Sequence, residues 1–115
     1  MNSIVKKRTD LHKLVFTDQA LIEEFGFTHV WITAYPSIQF YTEWLDAGMA
    51  NRGDDLDRLA RQILKTETGE PLMPTDDDVI EYDVYEHIIL LITQYLLKSK
   101  TKRLTQPDLQ GGVNT

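Results

Sequence analysis

The chain has 115 residues, 42 % apolar and 26 % charged, with a formal net charge of −6 and no cysteine. That is enough chain for one domain with its own core. The acidic balance argues against a protein that wraps nucleic acid or lies on an anionic membrane, and the lack of Cys excludes disulfides, Cys–zinc sites and thiol chemistry.

The first nine residues are polar and basic and read as a mobile lead-in. Lys6, Lys7 and Arg8 precede no apolar h-region, so no secretory signal is expected. The longest unbroken apolar run, Ile88 to Ile92, is too short to span a bilayer. Together with the absence of Cys, this gives an expectation of a soluble, intracellular protein. Leu11 to Phe16 is a short helical or extended piece, because six residues do not settle the period. Thr17 and Asp18 look like a cap for a helix from Gln19 to Phe25, with Gly26 as its stop and Leu21, Ile22 and Phe25 as its buried face.

Phe27 to Tyr35 is rich in β-branched and aromatic residues and predicts a strand. Its backbone needs a partner, which is the Leu11–Phe16 piece, the Pro71–Met73 piece or another subunit. Pro36 and Ser37 open a helix from Ile38 to Ala47, closed by Gly48. Asp54 and Asp55 begin another, Leu56 to Lys65, with Leu56, Leu59, Ala60, Ile63 and Leu64 on one side. Asp57 and Arg61 are spaced for an i,i+4 pair on its wet side.

Thr68 to Lys98 contains the most apolar segment of the chain. Thr75 is placed as an N-cap, with Asp76, Asp77 and Asp78 at the positive end of the helix dipole. Val84, Ile88, Leu91, Ile92, Tyr95 and Leu96 follow at helical spacing, and His87, Gln94 and Lys98 leave a narrow polar stripe. After Lys98 the periodicity stops. Lys98, Lys100, Lys102 and Arg103 form a basic cluster in a polar tail. These elements predict a mainly α fold, a small helical domain of about four helices with one short β-strand or hairpin. Residues 1–98 form the single domain and residues 99–115 a mobile C-terminal tail.

No reactive constellation stands out. His12, His29 and His87 lie in different elements without metal-ligand spacing. Asp76 to Asp78 lack the alternation of a calcium loop, and helix N-terminal charge explains them. No nucleophile elbow, phosphate-binding glycine loop or dinucleotide fingerprint is present. The expectation is a non-enzymatic protein with no catalytic residue, cofactor or metal. Trp31, Trp44 and the five tyrosines read as core or protein contact rather than as a ligand pocket.

One run of elements is more specific. V-W-I-T (Val30 to Thr33) is followed by P-S-I-Q-F-Y-T-E-W-L (Pro36 to Leu45) and L-D-R-L-A-R-Q-I-L (Leu56 to Leu64). T-G-E-P-L-M (Thr68 to Met73), T-D-D-D-V (Thr75 to Val79) and the apolar helix come next. This order resembles the tail assembly chaperones of long-tailed bacteriophages, most specifically over Gly69 to Val79. The N-terminal thirty residues follow the family less well, since it often has an extended segment where Gln19 to Phe25 reads as a helix.

The resemblance implies a non-enzymatic protein of the host cytoplasm that binds the tape measure protein and tail tube subunits and self-associates. It also implies a longer form made by frameshifting near the C-terminus. The apolar pattern, taken with the resemblance, nominates Tyr41, Trp44, Ile88, Leu91, Ile92 and Tyr95 for client or self contact. An alternative is a small phage or bacterial regulator that touches nucleic acid through the basic C-terminal tail.

Overall fold

The structure, a computed structural model, describes residues 4–105. The element order is β1 (Leu11–Val15), α1 (Gln19–Phe25), β2 (His29–Thr33), α2 (Ile38–Met49), α3 (Gly53–Ile63), β3 (Leu64–Lys65) and α4 (Tyr82–Thr105). The strands form an antiparallel sheet in the order β1-β2-β3. The expectation of a mainly α domain is therefore corrected: helices and a three-stranded sheet share one mixed α/β domain.

β2 finds its partners within the chain. His12 pairs with Ile32 and Leu14 with Val30 on one edge, and Leu64 pairs with Ile32 on the other. Leu64–Lys65 was expected as the last turn of a helix. Instead the chain becomes extended at Leu64 (ψ 131°) and hydrogen-bonds to β2, because the ladder satisfies backbone groups that a helix end would leave open. Residues 66–72 then fold back as a hairpin. Thr66 N–H donates to Glu70 O at 2.8 Å, Leu72 N–H donates to Leu64 O at 3.1 Å, and Gly69 takes the left-handed conformation (φ +90°) that the turn requires. The Leu11–Phe16 piece is the strand β1, extended by a Phe16 N–H bond to Thr28 O.

Alternation gives the sheet two unlike faces. Leu14, Phe16, Ile32 and Leu64 are buried on one side, in a core cluster with Trp44, Leu59, Ile63, Val84, Ile88, Leu91, Ile92 and Leu96 from the helices. The opposite side carries Lys13, Val15, His29, Trp31 and Lys65.

α1 starts at the N-cap Asp18, whose carboxylate accepts from Ala20 and Leu21 N–H, and ends at left-handed Gly26, as its sequence predicts. α2 is capped by Ser37 Oγ, which accepts from Phe40 N–H at 3.0 Å. It runs past Gly48 to Met49, and left-handed Asn51 (φ 59°) turns the chain. The main local correction is at α4. Thr75 is not its cap. Thr75 donates both its N–H and its hydroxyl to the Asp78 carboxylate, closing a separate turn. The helix begins seven residues later, where Glu81 accepts from the Asp83 and Val84 N–H groups. The Asp76–Asp78 charges therefore do not lie on its first turn, which carries Asp83. The helix continues to Thr105, beyond the expected tail boundary at Lys98. The rest of that tail, residues 106–115, lies outside the described residues.

This assignment of the cap is testable. Glu81→Ala removes the acceptor for two helix N–H groups and lowers stability by about 1 kcal/mol in urea unfolding. Thr75→Val lowers it by less, since it breaks only the Thr75 hydroxyl's bond in an exposed turn.

Candidate protein-binding surface

α4 is 24 residues long, about 36 Å at 1.5 Å per residue. Its sequence supplies more apolar positions than one packing face takes up. Val84, His87, Ile88, Leu91, Ile92 and Leu96 are buried against the sheet and the other helices. Each large aliphatic side chain among them contributes about 2 kcal/mol through burial. On the other side Tyr82, Leu90 and Leu97 stand 71 %, 50 % and 44 % exposed. Offsets of 8 and 15 residues put them in one row along the helix, with Glu86 between the first two. Tyr82 Oη reaches Glu86 Oε2 at 3.4 Å, so the upper end of the row is polar-edged.

The six nominated residues divide against this geometry. Trp44 is 1 % exposed and donates its indole N–H to Thr93 Oγ1 at 2.9 Å, tying α2 to α4. Ile88, Leu91 and Ile92 are buried core. These four are covered by the chain's own elements, so the folded domain does not present them to a partner. Tyr41 and Tyr95 are half-buried. The Tyr95 ring stacks on His12 (centroids 4.3 Å apart) and its hydroxyl donates to Ala34 O at 2.6 Å, anchoring α4 to the sheet. The structure gathers all six around the core; the free apolar row is Tyr82, Leu90 and Leu97. The sequence shows Leu90 and Leu97 as apolar surface on this helix, but apolarity alone does not separate them from the core positions beside them, and Tyr82 lies between two acidic residues, Glu81 and Asp83. Sequence reasoning also put His87 on the wet stripe. His87 is buried, meets Phe16 edge-on, and accepts the Thr17 N–H on Nε2 at 3.1 Å, which places its ring proton on Nδ1.

The titratable groups that meet one another do so as structural ties. Asp57 on α3 accepts the Tyr85 hydroxyl of α4 at 2.5 Å and the Arg61 Nε–H at 3.1 Å, while Arg61 Nη1 donates to Thr75 O at 3.2 Å. The expected i,i+4 pair is present, but it belongs to a network that joins α3, α4 and the Thr75 turn. Burial, then the hydrogen bond to Asp57 and its charge, raise the Tyr85 phenol well above its ordinary value. A phenol held protonated in this way is no base at neutral pH. A shallow groove of about 350 Å³ beside it is lined by Asp57, Arg58, Arg61, Gln62 and Asp76, groups of mixed sign of which Asp57 and Arg61 pair with each other while Arg58 pairs with Asp55 outside the lining. Among the described residues no group of three His, Asp or Glu is arranged to hold a metal ion, and no helix is long and apolar enough to cross a membrane.

The tie has a pH signature. With the folded-state phenol raised, the stability it contributes is full below the ordinary tyrosine range near pH ~10 and is lost as pH rises beyond it. Tyr85→Phe lowers stability by about 1–2 kcal/mol at neutral pH. It also flattens the alkaline fall seen by chemical denaturation, leaving the part due to Tyr95, whose hydroxyl burial likewise raises.

Compared with known protein families, curated proteins and solved structures, the chain gives no significant match.

Proposed function

We propose that the protein is a non-enzymatic tail assembly chaperone of a long-tailed bacteriophage. It binds the tape measure protein and tail tube subunits in the host cytoplasm and associates with copies of itself. Two things support this reading. The first is the resemblance carried by Val30 to Leu97, above all by Gly69 to Val79. The second, and the observation on which the mode of binding rests, is the exposed row Tyr82, Leu90 and Leu97 on a helix whose other side is fully engaged.

A client rich in long apolar helices is recognised by laying its apolar stripe against another, with side chains meeting at i, i+3, i+4 and i+7. A row about 22 Å long, from Tyr82 to Leu97, matches four turns of such a client. The acidic balance of the chain (18 Asp and Glu against 12 Lys and Arg) keeps a protein with an exposed apolar row soluble between binding events. The binding contact is thereby moved from Trp44, Ile88, Leu91 and Ile92, which hold the domain together, to the row beside them.

Size exclusion with light scattering, run with and without a tape measure fragment, tests the proposal. The wild-type chain is expected to be multimeric alone and to co-elute with the fragment. Leu90→Glu with Leu97→Glu is expected to keep the fold and weaken co-elution by roughly tenfold or more. A strictly monomeric protein with no affinity for tape measure or tube protein contradicts the proposal.

A further inference from the structure

The second tryptophan belongs to neither the core nor the α4 row. Register places Lys13, Trp31 and Lys65 opposite one another in a single line across β1, β2 and β3. The line lies on the side of the sheet away from Ile32 and Leu64, which are buried. Unlike Trp44, Trp31 is not packed against the core cluster. The two lysine Cα atoms are two strand spacings apart, about 10 Å, with the indole between them.

Lys13 Nζ lies 5.7 Å from the Trp31 ring centroid, and His29 meets the same ring edge-on at 5.8 Å. Neither Lys13 nor Lys65 has a carboxylate partner among the described residues; the ion pairs there belong to Arg52, Arg58 and Arg61. The remaining strand positions on this face are Leu11, Val15 and Thr33, so no strand position here is acidic. In a chain of net charge −6, this face is a local cationic and aromatic exception.

We propose that the outer face of the sheet binds single-stranded nucleic acid, with one base stacked on Trp31 and the adjoining phosphates held by Lys13 and Lys65. A flat π-surface flanked by cations on a sheet suits an unpaired base, which offers a π-face and a negative phosphate together. Lys13 is held at the indole only by a cation–π contact, an attraction weak enough at an exposed site for a phosphate to replace it. An acidic peptide would satisfy the lysines but leave the indole without a planar partner. A duplex keeps its bases inside the stack and presents only phosphates. The net charge of −6 repels a long polyanion, so the site takes a short stretch and binding is salt-sensitive. The central lysine on edge strand β1 also disfavours strand addition at that edge, which leaves the face rather than the edge as the docking element. This inference does not depend on the chaperone reading.

The test uses the full chain and short oligo(dT) and oligo(U) strands, with indole quenching and the anisotropy of a labelled strand as readouts. Trp44 is buried, so quenching reports Trp31. Binding with quenching is expected for single strands, and weaker binding for a duplex of equal length and for polyglutamate. Trp31→Phe is expected to lose the quenching and most of the affinity. Lys13→Gln with Lys65→Gln is expected to reduce the slope of log affinity against log salt by about 1.4, the contribution of two phosphates on a single strand. The lysine pair is exposed enough to be replaced without unfolding, so it carries the test alone if Trp31→Phe does not fold. Absence of binding overturns the proposal. So does binding that the lysine variants leave unchanged, which places it on the basic residues after Lys98, and so does equal binding of duplex or polyglutamate.

Discussion

Burial of one side of α4 against the inner face of the sheet is the constraint on which the rest of the structure depends. Ile88 and Ile92 are almost wholly withdrawn from solvent, between strand residues Phe16, Ile32 and Leu64 and helix residues Trp44, Leu59 and Ile63. The polar ties follow from that packing. Trp44 N–H to Thr93, Tyr95 O–H to Ala34 O and Thr17 N–H to His87 each join an element to α4, and each is made by a group that burial would otherwise leave unsatisfied. They fix the rotation of α4 about its axis. Once that rotation is set, Leu90 and Leu97 must face outward.

The same constraint divides the aromatic residues into two kinds. Trp44, stacked with Phe40 at 5.9 Å, ties α2 to α4, and Tyr95 pins α4 to β1 through His12 and to Ala34 just after β2. Trp31, one strand position from the buried Ile32, falls on the other side of the sheet because strand side chains alternate. The two proposed partner surfaces therefore differ in chemistry. One is an apolar row on a helix. The other is a cation-flanked indole on a sheet.

Much of the local structure was legible in the sequence because it is encoded by short-range chemistry. Asp18 and Gly26 bound α1, Ser37 opens α2, and Asp57–Arg61 pairs as its spacing predicts. What could not be read depends on contacts distant in sequence. Leu64–Lys65 continues the helical apolar pattern of α3 and is a strand only because β2 offers a free edge. Thr75 and Asp78 have the composition of a helix start, but their bonds to each other close a turn, and Glu81, a less common cap, takes the helix end. The nomination of Trp44, Ile88, Leu91 and Ile92 followed from apolarity, which marks core and interface alike. Only the packed structure separates them from Tyr82, Leu90 and Leu97.

The central claim is that α4 has one face closed by its own domain and one row left for a partner. Because the chain has no cysteine, single-cysteine variants report each position cleanly by thiol labelling. Leu90→Cys and Leu97→Cys are predicted to label rapidly in the free protein and to become protected when a tape measure fragment is added, while Leu91→Cys is protected in both states. Labelling of Leu91→Cys as fast as Leu90→Cys, or no protection of either outward position by the fragment, would contradict the account.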